Sequence, residues 1–178
     1  CIATGNTIVL KAASMTPMTA MRLTELWQEA GLPDGVLNIV TCSRQEAELL
    51  LTHPDVKGVS FVGSTAVGLH IYSTAAAHGK RVQALCEAKN HALVLEDAAL
   101  ERSAAGIINS SFGCAGERCM ALPVIVAQDS IADRLVEHLV RMAKGLKIGP
   151  AYDKTSDMGP VVTAEHKAFV TKWIDKGI

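Results

Sequence analysis

Gly5-Asn6-Thr7-Ile8-Val9-Leu10-Lys11 opens the pattern that decides the fold. The run at 6–10 is short, β-branched at its centre and preceded by glycine, which predicts a buried strand ending at Lys11. Thr16-Pro17 then marks a helix start, a hydroxyl cap followed by proline where the missing N–H is no loss. Ala20, Leu23, Leu26, Trp27 and Ala30 recur at helical spacing, and Gly31 stops the helix. Leu32-Pro33-Asp34-Gly35 is a turn, and 36–41 is a second strand.

Outward from this unit the alternation repeats. A helix is expected over 43–53 with Ala47, Leu50 and Leu51 inward, a strand over 59–62, a helix from Ser64 to about His78, and a strand over 81–86. Then come a strand over 91–95 and a helix over 98–112 that turns Ala105, Ile108 and Ser111 or Phe112 inward. A strand over 123–127 leads to a helix capped by Ser130, with Ile131, Leu135, Leu139 and Met142 on one stripe and Gly145 at its end. A loop over 147–161 precedes a last helix, with Phe169, Val170 and Trp173 inward. Strands alternating with helices of this length predict parallel βαβ units. The fold class is α/β: a Rossmann-like parallel sheet with helices on both faces, then part of a second α/β domain. The boundary falls near Leu85, giving segments 1–85 and 86–178.

Composition narrows the function. Apolar residues make up 49% and aromatics only 4%, so the core is aliphatic. Net charge is −1 with no basic run, which argues against nucleic acid and anionic membranes as partners. No apolar stretch is long enough to span a bilayer. Five cysteines without a CxxC pair argue against a disulfide framework or a metal site, and a reducing compartment is expected. The chain opens on Cys1 and is expected to be a piece of something longer.

Phe112-Gly113-Cys114-Ala115-Gly116-Glu117-Arg118-Cys119-Met120-Ala121 joins an apolar helix to an apolar strand. Such a joint can hold a thiol at the edge of a rigid core. Cys119 is the candidate nucleophile, since the cation of Arg118 beside it favours the thiolate; the bland alternative is a small buried hydrophobe. Arg118 fits either a substrate carboxylate or a structural ion pair. Phe61-Val62-Gly63-Ser64-Thr65-Ala66-Val67-Gly68 is a strand-to-helix joint whose helix N-terminus suits phosphate, or else Ser64 is only a cap and Gly63 only a turn residue. Lys11, at a strand's carboxyl end, could bond ribose hydroxyls or simply face solvent. Glu87 could act as acid or base, although its neighbours do not single it out.

Taken together, Phe112-Gly113-x-x-Gly116-Glu117-x-Cys119-x-Ala121, Gly5 to Lys11, Thr16-Pro17, Ala30-Gly31-Leu32-Pro33, Gly35-Val36-Leu37-Asn38 and Phe61 to Thr65 resemble the aldehyde dehydrogenase superfamily over essentially the whole chain. Ala88-Lys89-Asn90-His91 and Arg118-Cys119-Met120-Ala121 are most similar to its CoA-acylating methylmalonate-semialdehyde dehydrogenase branch. The resemblance implies that Cys119 attacks an aldehyde, hydride passes to NAD, and CoA takes the acyl group as carbon dioxide is lost. The oxyanion would be held by the Cys119 N–H and an asparagine upstream. Arg118 would grip the substrate carboxylate, Lys11 the adenosine ribose, and Gly63 and Ser64 the pyrophosphate.

Several positions depart from the family's pattern. Leu85 stands where hydrolytic members carry their glutamate base, which points to an acceptor other than water. Ser14 stands where relatives carry a ribose-binding glutamate, and it joins the cofactor-binding set in that place. Cys86 and Glu87 replace small residues near the nicotinamide. The family further implies a homodimeric or homotetrameric parent, cytoplasmic in a bacterium and in the mitochondrial matrix of a eukaryote. The chain on its own is expected to be inactive. Two other readings stay open: a hydrolytic aldehyde dehydrogenase, and a non-catalytic nucleotide-binding or assembly module suggested by Ser14 and Glu87.

Overall fold

A computed structural model describes residues 1–178, and the chain divides into two units, Cys1–Cys86 and Glu87–Ile178. In the first, β1 (Ile8–Lys11) pairs in parallel with β2 (Leu37–Val40) after the crossover of α1 (Pro17–Glu29). α2 (Arg44–Thr52) leads to β3 (Gly58–Val62), which pairs in parallel with β4 (Arg81–Leu85) after α3 (Thr65–Ala77). In the second unit β5 (His91–Val94) pairs in parallel with β6 (Val124–Ala127) across α4 (Leu100–Phe112). α5 (Asp129–Gly145) and α6 (Ala164–Gly177) follow. Every ladder is parallel and spans a helical crossover, the βαβ arrangement expected of the sequence.

The ladders form three separate pairs rather than one continuous sheet. Ile8 and Ala12 donate to the carbonyls of Val36 and Val40. Parallel strands alternate their donors between neighbours, so the intervening Val9 aims its N–H at the opposite edge, where β1 has no partner strand. β3 likewise bonds only to β4.

The second unit has the clearer core. Val94, Leu100, Ala104, Ile107, Ile131 and Leu135 form one buried cluster, with Leu139 and Met142 packed against it. The α5 stripe therefore faces inward as its spacing predicts. Two details differ. The inward face of α4 uses Ala104, Ile107 and Ile108, and Ala105 is exposed, one position off the expected stripe. Ser130 lies inside α5; the cap is Gln128, and the carboxylate of Asp129 occupies the first turn, where the positive end of the helix favours it.

Two stripes expected inward are largely uncovered. On α1, Leu23, Leu26 and Trp27 stay about half exposed. On α6, Phe169 and Trp173 are exposed and pack edge to face on each other at 6.2 Å, while Lys176 lies 4.8 Å over the Trp173 ring. Helical spacing makes a stripe, but burial needs a facing surface, and here the aromatics cover one another.

One buried cation fastens the first unit. Lys80 is 8% exposed, and its ammonium donates to the carbonyls of His53 and, at 2.6 Å, Val56. It ties the segment after α2 to the start of β4. Lys80→Met keeps the aliphatic stem and deprives both carbonyls of their donor. It should cost about 1–3 kcal/mol in urea denaturation. An unchanged midpoint would mean that water replaces the ammonium without loss.

Candidate active site

The segment after α4 is built by backbone strain on one side and side-chain clamps on the other. Cys114 and Ala115 adopt left-handed conformations, φ 52° and 55°, and Gly116 follows at φ 77°. A left-handed residue with a Cβ costs about 1–2 kcal/mol, so two in succession need compensation from their surroundings. The compensation is visible around the loop. The Arg118 guanidinium donates to the carbonyl of Asn109, in the last turn of α4. It occupies the space that a Cβ on Gly113 would need, which is why glycine stands there. Glu117 N–H bonds to Cys114 O at 3.0 Å, and the Glu117 carboxylate meets His166 of α6 at 2.6 Å. Phe169 stacks on that imidazole, with ring centroids 5.9 Å apart.

Beyond Arg118, four successive carbonyls are each taken by a side chain. Asn90 Nδ2 donates to Cys119 O at 2.8 Å and to Ala121 O at 2.9 Å. Ser110 donates to Met120 O at 3.2 Å, and Ser111 to Leu122 O at 2.7 Å. Cys119 is itself exposed, and its backbone N–H meets no protein acceptor. An exposed thiol beside an open amide, on a backbone gripped from both sides, can attack a carbonyl carbon and offer a donor to the oxygen that becomes charged.

The proposed cofactor residues lie at the carboxyl ends of strands in the first unit. Lys11 ends β1, and its ammonium reaches only the neighbouring Ala12 carbonyl at 3.2 Å; Ser14 is exposed in the turn that follows. Gly63 extends the β3 ladder by donating to Leu85 O at 3.1 Å. Ser64 is the N-cap of α3, but its hydroxyl makes no capping bond. The N–H groups of Ala66 and Val67, in the first turn, have no acceptor within the helix and fit an anionic group such as a pyrophosphate. Lys11 is grouped with Ser14, and Gly63 with Ser64; no hydrogen bond joins the two groups. Cys86 sits with its sulfur against Gly68, where α3 approaches the end of β4 closely.

In the sequence Asn90 stands out only as part of the Ala88-Lys89-Asn90-His91 motif. Its double donation to the Cys119 loop is not legible there, and neither is the part played by Ser110 and Ser111. The available signal is a run of small polar residues, Asn109-Ser110-Ser111, at the end of α4.

This geometry, a strained thiol loop between the helix and second strand of one βαβ unit and an open helix N-terminus in another, defines a class that sequence comparison states outright. A sequence model of the aldehyde dehydrogenase family matches residues 1–178, and the chain belongs to that family. Malonate-semialdehyde dehydrogenase 2 of Geobacillus kaustophilus is 56% identical over 176 residues, 99% of this chain, and malonate-semialdehyde dehydrogenase of Lacticaseibacillus casei is 51% identical over 177. Among solved structures, methylmalonate-semialdehyde dehydrogenase from Oceanimonas doudoroffii superposes with a TM-score of 0.90 at 44% identity, over 98% of this chain and 36% of that one. A Sinorhizobium meliloti protein complexed with NAD, described as a methylmalonate-semialdehyde dehydrogenase, gives 0.91 at 46% identity, over 99% of this chain and 36% of that one. The chain spans 36% of the length of the two malonate-semialdehyde dehydrogenases.

Proposed function

We propose that a full-length protein carrying this sequence oxidises malonate or methylmalonate semialdehyde with NAD and CoA, giving acetyl-CoA or propionyl-CoA and carbon dioxide. What supports this reading is the loop of Cys119: an exposed thiol, an open backbone N–H beside it, and the carbonyls on its far side held by Asn90, Ser110 and Ser111. The relatives' names supply the substrate class. Segment 1–85 serves as part of the NAD-binding domain and 86–178 as part of the catalytic domain.

Cys119 Sγ, as thiolate, adds to the aldehyde carbon, and the Cys119 N–H donates to the oxygen that gains charge. Bound NAD supplies the hydride acceptor. Loss of hydride from the adduct leaves a thioester on Sγ. The substrate carboxylate lies one carbon from the thioester carbonyl, so it can leave as carbon dioxide, its electron pair passing to the α-carbon, which takes a proton. The CoA thiol then displaces Sγ and regenerates Cys119. Arg118 orients the carboxylate, Lys11 and Ser14 face the ribose, and Gly63 and Ser64 face the pyrophosphate. A guanidinium that caps α4 through Asn109 is also held at a set position beside the nucleophile. Leu85 has no proton to exchange and cannot activate water, which favours the thiol acceptor.

The test is NADH formation from either semialdehyde, with and without CoA, by the full-length protein. Turnover is expected only with CoA, at least about tenfold above the rate without it, and none is expected from the 178-residue chain alone. Equal turnover without CoA would assign the enzyme to the hydrolytic group.

A further inference from the structure

We infer that Asn90 is a positioning residue for the nucleophile: it sets the backbone of Cys119 through that residue's own carbonyl. The inference rests on the reading of Cys119 as nucleophile. A primary amide nitrogen carries two N–H donors. Both are used here, one on Cys119 O at 2.8 Å and one on Ala121 O at 2.9 Å. A single atom bridging two carbonyls two residues apart fixes their separation, and with it the peptide planes on either side of Met120. The plane of the first of these carbonyls is set by the ψ angle of Cys119. Holding that carbonyl restrains where the Cys119 Cα stands on the strand framework, and so the direction in which the residue presents its N–H and the Cβ that carries the thiol, the pair of groups that must meet the aldehyde carbon and its oxygen together.

The bridge is anchored at both ends. Asn90 directly precedes β5, whose register places His91 beside Val124 of β6. Ala121 is buried at 8% exposure, so its carbonyl is a fixed point, whereas Cys119 and Met120 are exposed. Ser110 and Ser111 hold Met120 O and Leu122 O, and neither touches the nucleophile residue itself. Asn90 alone connects the strand framework to Cys119. Nucleophilic attack tolerates little misplacement, and an error of about 1 Å can cost roughly a hundredfold.

A purely structural stitch between β5 and the entry to β6 would give a different pattern of effects. The experiment uses the full-length protein with Asn90→Ala, the near-isosteric Asn90→Asp, Ile131→Val and Cys119→Ala. Ile131→Val is a destabilising core change away from the loop. The readouts are kcat and KM for the semialdehyde, thermal midpoint, and iodoacetamide labelling of Cys119 resolved by peptide mass spectrometry. Labelling requires a thiol but no defined approach to an oxyanion donor. Both Asn90 variants should lower kcat at least about tenfold, with KM and the Cys119 labelling rate within about twofold. Ile131→Val should lower the midpoint and leave kcat unchanged. If Asn90→Ala does not fold, Asn90→Asp carries the test. An Asn90 variant with kcat within twofold of the parent, or one whose kcat loss is matched by Ile131→Val, overturns the inference. Activity retained by Cys119→Ala would instead overturn the reading on which it rests.

Discussion

Cys119→Ala in the full-length protein is expected to abolish NADH formation, lowering kcat by at least about a thousandfold. The size follows from the chemistry. Without Sγ no covalent adduct forms, and no other group in the loop can replace it in the same place. Cys114 is also exposed, but it sits at φ 52°, on the far side of the turn closed by Glu117 N–H and Cys114 O. The open amide belongs to Cys119. Cys114→Ala should therefore keep activity within about threefold, since alanine retains the Cβ and leaves the left-handed backbone as it is. The pair of variants is decisive because the two thiols share a loop and both are exposed. Loss of activity in Cys114→Ala with retention in Cys119→Ala would reverse the assignment. Stopped-flow measurement of the first turnover separates hydride transfer from acyl transfer, and Cys119→Ala should carry out neither step.

Leu135→Ala is expected to destabilise the second unit by about 3–4 kcal/mol, the largest effect of any single core truncation in it. Leu135 is 1% exposed and is the largest fully buried side chain in the chain. It lies at the centre of the cluster formed with Val94, Leu100, Ala104, Ile107 and Ile131, where α4 meets α5. Truncation removes its dispersion contacts and leaves a cavity that two helices pinned by β5 and β6 cannot close. A typical domain is stable by only about 5–15 kcal/mol, so this loss is a large share. Urea denaturation followed by far-UV circular dichroism should show the lower midpoint. Amide exchange along α4 and α5 should accelerate together, because one cluster supports both. Val136→Ala, one position along the same helix but 55% exposed, should change stability by less than about 0.5 kcal/mol. A loss below 1 kcal/mol for Leu135→Ala would mean that the helices collapse into the space.

The elements were legible because each depends on neighbouring residues. Short β-branched runs at Ile8, Val59 and Val124, and the stripe Ile131, Leu135, Leu139, Met142, state their period directly. The thiol loop stood out as a candidate site because two glycines, an arginine and a cysteine stand close together between a helix and a strand. How that loop is held was not. Asn90 lies 29 residues before Cys119, and His166 lies well beyond Glu117, so no local pattern connects them. Arg118 shows the same limit: its residue type suggests carboxylate binding, but only the folded chain reveals that its guanidinium also closes α4 through Asn109.

The sequence by itself determined which stretches are strands and helices, that the strands run parallel, and that a cysteine, an arginine and two glycines gather at residues 112–121 as a candidate site. These follow from periodicity, capping and residue chemistry within a few turns of backbone. Only the tertiary structure decided that the ladders form three pairs, that the α1 and α6 stripes stay uncovered, and that one asparagine holds the carbonyl of Cys119. Those outcomes depend on which hydrogen-bonding edges and apolar faces meet in space. A strand's periodicity is the same whether or not a partner lies beside it, and an amide's donors find their acceptors only after the chain has brought distant carbonyls within reach.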